Sequence, residues 1–431
     1  MSALACDLYA LTMMQAYLAE GLTGRASCEL FVRSLPPGRD FLLAAGLEQA
    51  VEALEGLRAT DADLAWARAA GLGETVVEYL RELRFTGDVD AVPEGTPVFA
   101  NEPLLRVTAP LPVAQLVEAQ MINLIHYQTV VASKAVRMVL AAGGRALVDF
   151  GMRRAHGLDA ADLAARAAYL AGFRATATVT ASQRFGIPVS GTMAHSFIQA
   201  HDDETEAFRA FAEARPDGPV LLLDTYDTVR AARRVVALAP ALAARGVVVR
   251  AVRLDSGDIA TLAHQVRAIL DEGGLAGVGI LASGNMDEHR IRALADAPID
   301  GFGIGTSLAV PPDAPTLDCV YKLQEYDGRP RRKRSEGKAT WPGRKQVFRR
   351  RDHDLLTSWD DPAEGVPLLV PVLRDGRRAA PLPPLEAIRD RALALVTALP
   401  DDLKASDPAE PWPVEVSDRL KAMADECDRR S

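Results

Sequence analysis

The sequence predicts an α/β protein: an incomplete parallel α/β barrel (TIM-like) together with an α+β domain built from the N- and C-terminal segments. Three observations lead there. Between about residues 145 and 307, short continuous apolar runs alternate with amphipathic helical stretches, the pattern of parallel strands covered by helices. None of these runs is followed by GxGxxG, which disfavours a doubly wound dinucleotide sheet. Outside this region the pattern changes to alternating strands, turns and prolines.

At 431 residues the chain exceeds one average core, so more than one domain is expected. Residues 1–110 read as the first part of the α+β domain. They hold an opening helix (CDLYALTMMQAYLAEG), a strand (ASCELFVRSL) and a helix (FLLAAGLEQAVEALEG). Next comes a Pro-rich alternating stretch, VPEGTPVFANEPLLRVTAPL, read as short antiparallel strands around turns. Residues 111–144 carry one long connecting helix, over about 111–142. Residues 145–310 are the barrel. Its strand candidates are RALVDFG, a short ATA, IPVSGT, PVLLLDTYD, VVVRAVRLDSGD, GVGILASGN and GFGIGTS. Helices such as DAADLAARAAYLAG, ETEAFRAFAEA, TVRAARRVVALAPALAA and DIATLAHQVRAILDEG lie between them. Residues 311–431 return to strands, turns and a Pro-rich tail, and rejoin the α+β domain.

Composition excludes several classes of function. A net charge of -9 argues against general nucleic-acid binding. No apolar run reaches the roughly 20 residues a membrane span needs, and the opening MSALACDLYALTMM has an acidic residue and no basic lead, unlike a secretory leader. Cys6, Cys28, Cys319 and Cys427 are scattered, without metal-ligand spacing or a disulfide framework, so reduced thiols in a cytoplasmic protein are expected.

The chemistry gathers at strand ends. Asp149-Phe150-Gly151 leads into Arg153 and Arg154; Gly191-Thr192 leads to His195; Asp224 and Asp227 close one run, and Arg253, Asp255 and Asp258 the next. Ser283-Gly284-Asn285 and Gly303-Ile304-Gly305-Thr306-Ser307 close the last two. In a parallel barrel these ends share one face, where such folds place catalysis. Glycines beside Ser, Thr or Asn expose the backbone N–H groups that hold phosphate. Arginines grip carboxylate or phosphate at two points, and the aspartates suit Mg²⁺, which arrives with phosphorylated substrates. Each element alone has a plain structural reading: Asp227 as a helix cap, GxGxS as a tight turn, Arg154 as a surface ion pair. Their co-occurrence at successive strand ends favours a phosphorylated, Mg²⁺-bound substrate. A second basic feature, DGRPRRKRSEGKATWPGRKQVFRRR (327–351), reads better as lysines reaching a polyphosphate, in this subunit or a neighbour, than as a nucleic-acid arm.

Together these stretches resemble the nicotinate phosphoribosyltransferases almost end to end. DLYALTMMQAY, ELFVRSLPPGRDFLLAAGLE, DFGMRRAHG, GIPVSGTMAHSF, LLLDTYDT, VRLDSGDI, ASGNMDE, GFGIGTSL, the 327–351 region and PWPVEVSDRL carry the likeness, in order. The resemblance implies a type II phosphoribosyltransferase fold. It also implies reaction of nicotinate with phosphoribosyl pyrophosphate to give nicotinate mononucleotide and pyrophosphate, coupled to ATP hydrolysis and dependent on Mg²⁺. By the same resemblance His195 is the residue that ATP phosphorylates. Tyr9 reaches into a neighbouring subunit of a homodimer to cover the pyridine, Phe150 stacks on the opposite face, and Thr192 and Arg253 contact nicotinate. Arg153, Gly284, Gly305 and Thr306 match positions that hold phosphoribosyl pyrophosphate, and Asp224 and Asp255 match acids near the ribose and metal. Arg33, Lys338 and Lys345 are further expected phosphate contacts. The chain departs from the family pattern at Cys6, where Thr is commoner, and it starts close to that motif; neither departure falls on a named contact. Competing readings are a phosphoribosyltransferase for quinolinate, which needs more cations around its ring, one for nicotinamide, which needs an acidic group for the amide, and a non-catalytic relative. The last would have lost strand-end residues, yet His195, Arg253, Asp255 and Thr306 are all present.

Overall fold

The alternation of apolar and amphipathic segments is realised in a computed structural model that describes residues 2–405 and 409–430. The chain divides into two units, Lys134–Pro312 and the pair Met1–Ser133 with Asp313–Ser431. The division falls inside the helix Glu118–Ala142. The connecting helix expected over 111–142 is in two pieces, Leu111–Leu116 and Glu118–Ala142, separated at Val117.

The central unit holds a six-stranded sheet in the order Ala175–Thr176, Ala146–Asp149, Gly301–Ile304, Gly279–Ala282, Ala251–Leu254, Val220–Leu222. Every pairing in it is parallel. Leu221, Val252, Leu254, Ile280 and Ile304 are fully buried, as strands covered on both faces require. Four helices, Glu204–Ala214, Thr228–Ala243, Ile259–Glu272 and Glu288–Ala293, start behind Asp203, Asp227, Asp258 and Asp287. Each aspartate accepts the backbone N–H three residues on. Such caps contribute about 1 kcal/mol each and hold the preceding strand-end loops in place. Asp227 and Asp258 are therefore caps.

The sheet curls into a partial barrel and does not close. The strand expected at IPVSGT is only a single bridge, Thr176 to Val189. Pro188 has no N–H to give a ladder, and its carbonyl accepts from Thr176 while Ser190 N–H returns a bond to Thr176. The strand expected from Val247 starts at Ala251, because Val248 turns out to solvent at 68% exposure.

The unit formed by both chain ends is a seven-stranded antiparallel sheet. Its order is Arg329–Pro330, Cys319–Tyr326, Arg25–Val32, Pro103–Pro110, Asp88–Ala91, Val370–Arg374, Arg377–Arg378. Seven of the eight residues of Arg25–Val32 are buried, consistent with its central place. A second sheet joins Val366–Pro367, Lys345–Arg349, Asp354–Ser358 and Val414–Val416. The core of this unit includes Leu30, Leu54, Val77, Leu105 and Leu116. The helix expected from Phe41 starts only at Leu47. Phe41–Ala45 are buried and non-helical, with the N–H groups of Leu43 and Ala45 donating to Ser133 and Thr129 hydroxyls. Gly46 then turns the chain at φ +99, a conformation that side chains rarely allow. Among the described residues all four cysteines are free, and no helix is long and apolar enough to cross a membrane.

Candidate active site

The parallel strands deliver their polar ends to one cavity of about 600 Å³. Phe150, Arg153, Thr192, His195, Arg253 and Asp255 all line it. Phe150 is aimed by backbone: its N–H donates to the Ile304 carbonyl at 2.7 Å. Its ring lies against Gly303, where an added Cβ would stand 2.2 Å from a ring carbon. Asp149, 2% exposed, fixes the turn beneath it by accepting from Gly151 N–H at 2.7 Å and the Thr176 hydroxyl at 2.6 Å. Burial pushes the Asp149 carboxyl above its usual range, and these hydrogen bonds oppose the shift.

Arg253 points across the cavity with its guanidinium 6.0 Å from the Phe150 ring centre. One of its terminal nitrogens donates to the Thr192 hydroxyl, while its Nε is buried without a partner. Burial pulls this guanidinium below its ordinary value, against the pull of Asp255 and Asp224. A half-buried guanidinium with no ion-pair partner among the described residues is a ready partner for a carboxylate lying over an aromatic ring.

His195 opens the short helix His195–Gln199. Its Nδ1 lies 3.1 Å from the Thr225 hydroxyl and its Nε2 is 3.8 Å from Asp255 Oδ2. Asp255 Oδ1 accepts from the Ser283 hydroxyl. Asp224 Oδ2 accepts from Asp255 N–H at 3.2 Å and from the Ser256 hydroxyl, and its Oδ1 is buried and unpartnered. Gly284 and Gly305 complete the adjoining strand ends, with an added Cβ standing 2.1 Å from the Asp255 carbonyl and 3.2 Å from the Phe150 carbonyl respectively. Thr306 starts the short helix Thr306–Ala309.

The two acids suit Mg²⁺. Each has one oxygen engaged by a hydroxyl, and Asp224 keeps a buried oxygen with no donor. Among the described residues no three His, Cys, Asp or Glu side chains are arranged to hold a metal by themselves. Mg²⁺ characteristically relies on one or two carboxylates, water and substrate phosphate, so this donor set fits an ion that arrives with its substrate.

The remaining expected contacts belong to the antiparallel unit. Arg33, Lys338 and Lys345 line a second cavity, of about 380 Å³. Arg33 reaches Asp318 at 3.2 Å. Lys345 is buried, and its ammonium is engaged by Glu29 at 2.7 Å and by the carbonyls of Trp341 and Gly343 at 2.8 Å each. All three of its donors are thus directed at the protein, so it braces the cavity wall. Lys338 carries no such pair among the described residues. Tyr9 is not in this lining; it stands 44% exposed on the helix Leu8–Ala19, its hydroxyl donating to Glu118 at 2.9 Å. Within the 327–351 segment several cations are spent internally, Arg332 and Arg334 on Asp428, Arg344 on Glu325 and Asp360, and Arg349 on Asp354.

Sequence reasoning missed the hydroxyls of Thr225, Ser256 and Ser283 and the carboxylate of Asp149. Each lies within one of the strand-end motifs. Their partners come from different strands, however, so only the fold reveals what they orient.

Comparison with known proteins places relatives beside this chain. Residues 4–126, 145–329 and 356–424 match the models of the nicotinate phosphoribosyltransferase N-terminal domain, family and C-terminal domain. A nicotinate phosphoribosyltransferase of Mycobacterium tuberculosis is 51% identical over 430 residues, covering 97% of this chain and 92% of the relative. The crystal structure of human nicotinic acid phosphoribosyltransferase superposes with a TM-score of 0.88 at 30% identity, covering 97% of this chain and 99% of that one. A nicotinate-nucleotide pyrophosphorylase from Pyrococcus furiosus superposes with a TM-score of 0.77 at 25% identity, covering 92% and 95%. With its strand-end motifs in place and its relatives matched over nearly their whole lengths, the chain belongs to the nicotinate phosphoribosyltransferase family.

Proposed function

We propose that the protein joins nicotinate to phosphoribosyl pyrophosphate, releasing nicotinate mononucleotide and pyrophosphate for NAD synthesis, and that it couples this step to ATP hydrolysis through His195. The observation that carries the reading is Arg253, a half-buried side chain with an enclosed, unpartnered Nε beside Phe150 and Thr192. That combination matches a flat ring bearing one carboxylate. Phe150 stacks the pyridine and Arg253 grips its carboxylate, which turns the ring nitrogen toward the ribose. Arg153, Gly284, Gly305 and Thr306 hold the phosphates of the second substrate. Asp224 and Asp255 are the residues that would hold Mg²⁺, which when bound screens the charge growing on departing pyrophosphate. Their carboxylates also face the positive charge that develops on the ribose as its C1 bond to pyrophosphate opens. Alignment of the two reactants supplies much of the remaining acceleration.

His195 is suited to accept a phosphoryl group. With Nδ1–H donating to Thr225, Nε2 presents its lone pair to the cavity near Asp255. Attack by Nε2 on the γ-phosphorus of ATP forms the N–P bond as ADP leaves. Water later cleaves that bond to return phosphate. The negative charge present in between alters how tightly pyrophosphate-bearing species are held. Tyr9, exposed next to Leu8 at 60% exposure, is offered to a second copy of the chain, where its ring would close over the pyridine.

A steady-state assay tests the reading. Purified protein receives phosphoribosyl pyrophosphate and Mg²⁺, with nicotinate, nicotinamide or quinolinate offered separately, with and without ATP. Turnover of nicotinate accelerated by ATP is expected. Preference for another pyridine overturns the substrate, and indifference to ATP overturns the coupling.

A further inference from the structure

The parallel sheet ends at two edges, Ala175–Thr176 with its bridge to Val189 on one side and Val220–Leu222 on the other. In a closed barrel these edges would pair. Here the edge N–H of Leu222 points instead to the Met193 thioether, at 3.4 Å. A cavity of about 340 Å³ occupies the seam between the edges. Val189 and Ser190 line it from one side, and Phe211 and Val220 from the other. Pro219 and Arg250, at the starting ends of their strands, place its outer end at the end of the sheet opposite Asp224 and Asp255, while Gly191 and Thr192 line its other end.

This seam cavity adjoins the catalytic one: Ala177, Gly191 and Thr192 line both. At that border the exposed Gly191 presents no side chain, and an added Cβ would meet nothing within 4 Å. Thr192, at the same border, is the residue to which Arg253 donates. At the outer mouth Arg215 and Arg250 are exposed and have no ion-pair partner among the described residues, and Asp217 is the one acid in the cavity's lining. The rim carries two valines turned to solvent, Val179 at 68% and Val189 at 62% exposure. A mouth with excess positive charge, apolar lips and an inner border of small side chains suits a flat monoanion. It does not suit a polyphosphate with its metal.

We propose that the unclosed seam is a second entrance to the active site, through which the aromatic monocarboxylate reaches Arg253 while the phosphorylated substrate occupies the strand-end mouth. Arg215 and Arg250 draw the anion in, Thr192 and Arg253 receive it, and the two substrates do not queue at one opening. The inference rests on the proposed use of nicotinate as substrate.

Isotope trapping with labelled nicotinate on protein preloaded with phosphoribosyl pyrophosphate and Mg²⁺ measures kon and koff separately. Val189→Trp narrows the mouth without touching the site. A passage limits entry and exit alike, so kon and koff should both fall about tenfold with Kd unchanged. Arg215→Glu with Arg250→Glu should lower kon about three- to tenfold at low salt, and the difference should vanish near about 0.5 M salt. A kon that stays at the wild-type value in either folded variant overturns the proposal. A weakened Kd with kon unchanged overturns it too, since that marks a distorted site. Should Val189→Trp fail to fold, the exposed arginine pair decides alone. Wild-type protein that traps and converts no nicotinate sinks the substrate reading instead, which separates the two failures.

Discussion

At the ends of the parallel strands, charged groups are kept partly unsatisfied: Arg253 Nε and Asp224 Oδ1 are buried with no partner. In the antiparallel unit, buried charge is met by opposite charge in ion-pair range, even though Arg106 Nε and Glu102 Oε1 are likewise buried without a hydrogen-bond partner. Arg106, 1% exposed, lies 4.0 Å over Trp359, pairs with Asp90 at 2.7 Å and Glu29 at 3.6 Å, and donates to the Lys345 carbonyl. Lys345 in turn pairs with the same Glu29. An unsatisfied buried group costs stability that only a ligand can return, whereas a satisfied network resists removal of any member. Arg253 has no ion-pair partner among the described residues and leaves room for a ligand's carboxylate, whereas Arg106, held between Asp90 and Glu29, is part of a wall.

That contrast can be broken by substitution. Arg106→Ala removes one of the two cations that face each of Asp90 and Glu29, leaving Arg374 and Lys345 as their partners, and should lower unfolding free energy by about 3 kcal/mol, read from urea denaturation. An unchanged midpoint would mean the network contributes nothing. Arg253→Ala should do the opposite, leaving stability nearly intact while kcat/KM for nicotinate drops about a hundredfold, close to 2.7 kcal/mol. An equal loss for phosphoribosyl pyrophosphate would give the arginine another role. His195→Ala should reduce the ATP-stimulated rate to the ATP-free one, a change of about tenfold or 1.4 kcal/mol. Persistent stimulation in that variant would remove the phosphohistidine. Gly303→Ala pushes the Phe150 ring off its seat and should raise KM for nicotinate about three- to tenfold, the worth of one aromatic stack. A normal KM would show that the ring does not bear on the pyridine.

The smallest effect concerns pH. Glu102 and Asp354 are both fully buried and share Arg349, which lies 2.6 Å from Asp354 and 3.9 Å from Glu102. Burial first, then the adjacent Asp354, hold the Glu102 carboxyl well above its usual range. The folded state therefore keeps a proton that the unfolded chain has released. Stability from this group is complete below the unfolded carboxyl range and declines as pH rises through the folded value. Glu102→Gln, neutral throughout, should flatten the fall of Tm with rising pH; an unaltered slope would place the titration elsewhere.

The strand-end residues were legible because their signal is local. A continuous apolar run followed by Asp, Gly, Ser or Thr announces a parallel strand and its loop, and DFGMRR, LDSGD and GIGTS each do so within a few positions. What failed depends on distant partners. Lys345 reads as a free cation until the fold brings Glu29, 316 positions away, to its N–H as well as its ammonium. The helix expected from Phe41 reads as one apolar stretch. Gly46 divides it because an added Cβ there would stand 2.3 Å from the Leu124 carbonyl. IPVSGT has the composition of a strand, but Pro188 limits it to one bridge.

The place of Arg25–Val32 in its sheet also sets a timetable for synthesis. One flank pairs with Pro103–Pro110, yet the other pairs with Cys319–Tyr326, and the whole Lys134–Pro312 unit must be translated in between. At ordinary elongation rates the nascent chain carries that strand with one hydrogen-bonding edge bare for on the order of 15–60 s. An unpaired, largely apolar edge is a template for pairing with another copy. Ribosomes spaced along one message would hold several such edges close together. A stop codon placed before residue 319 should therefore yield aggregate even though the central unit is complete.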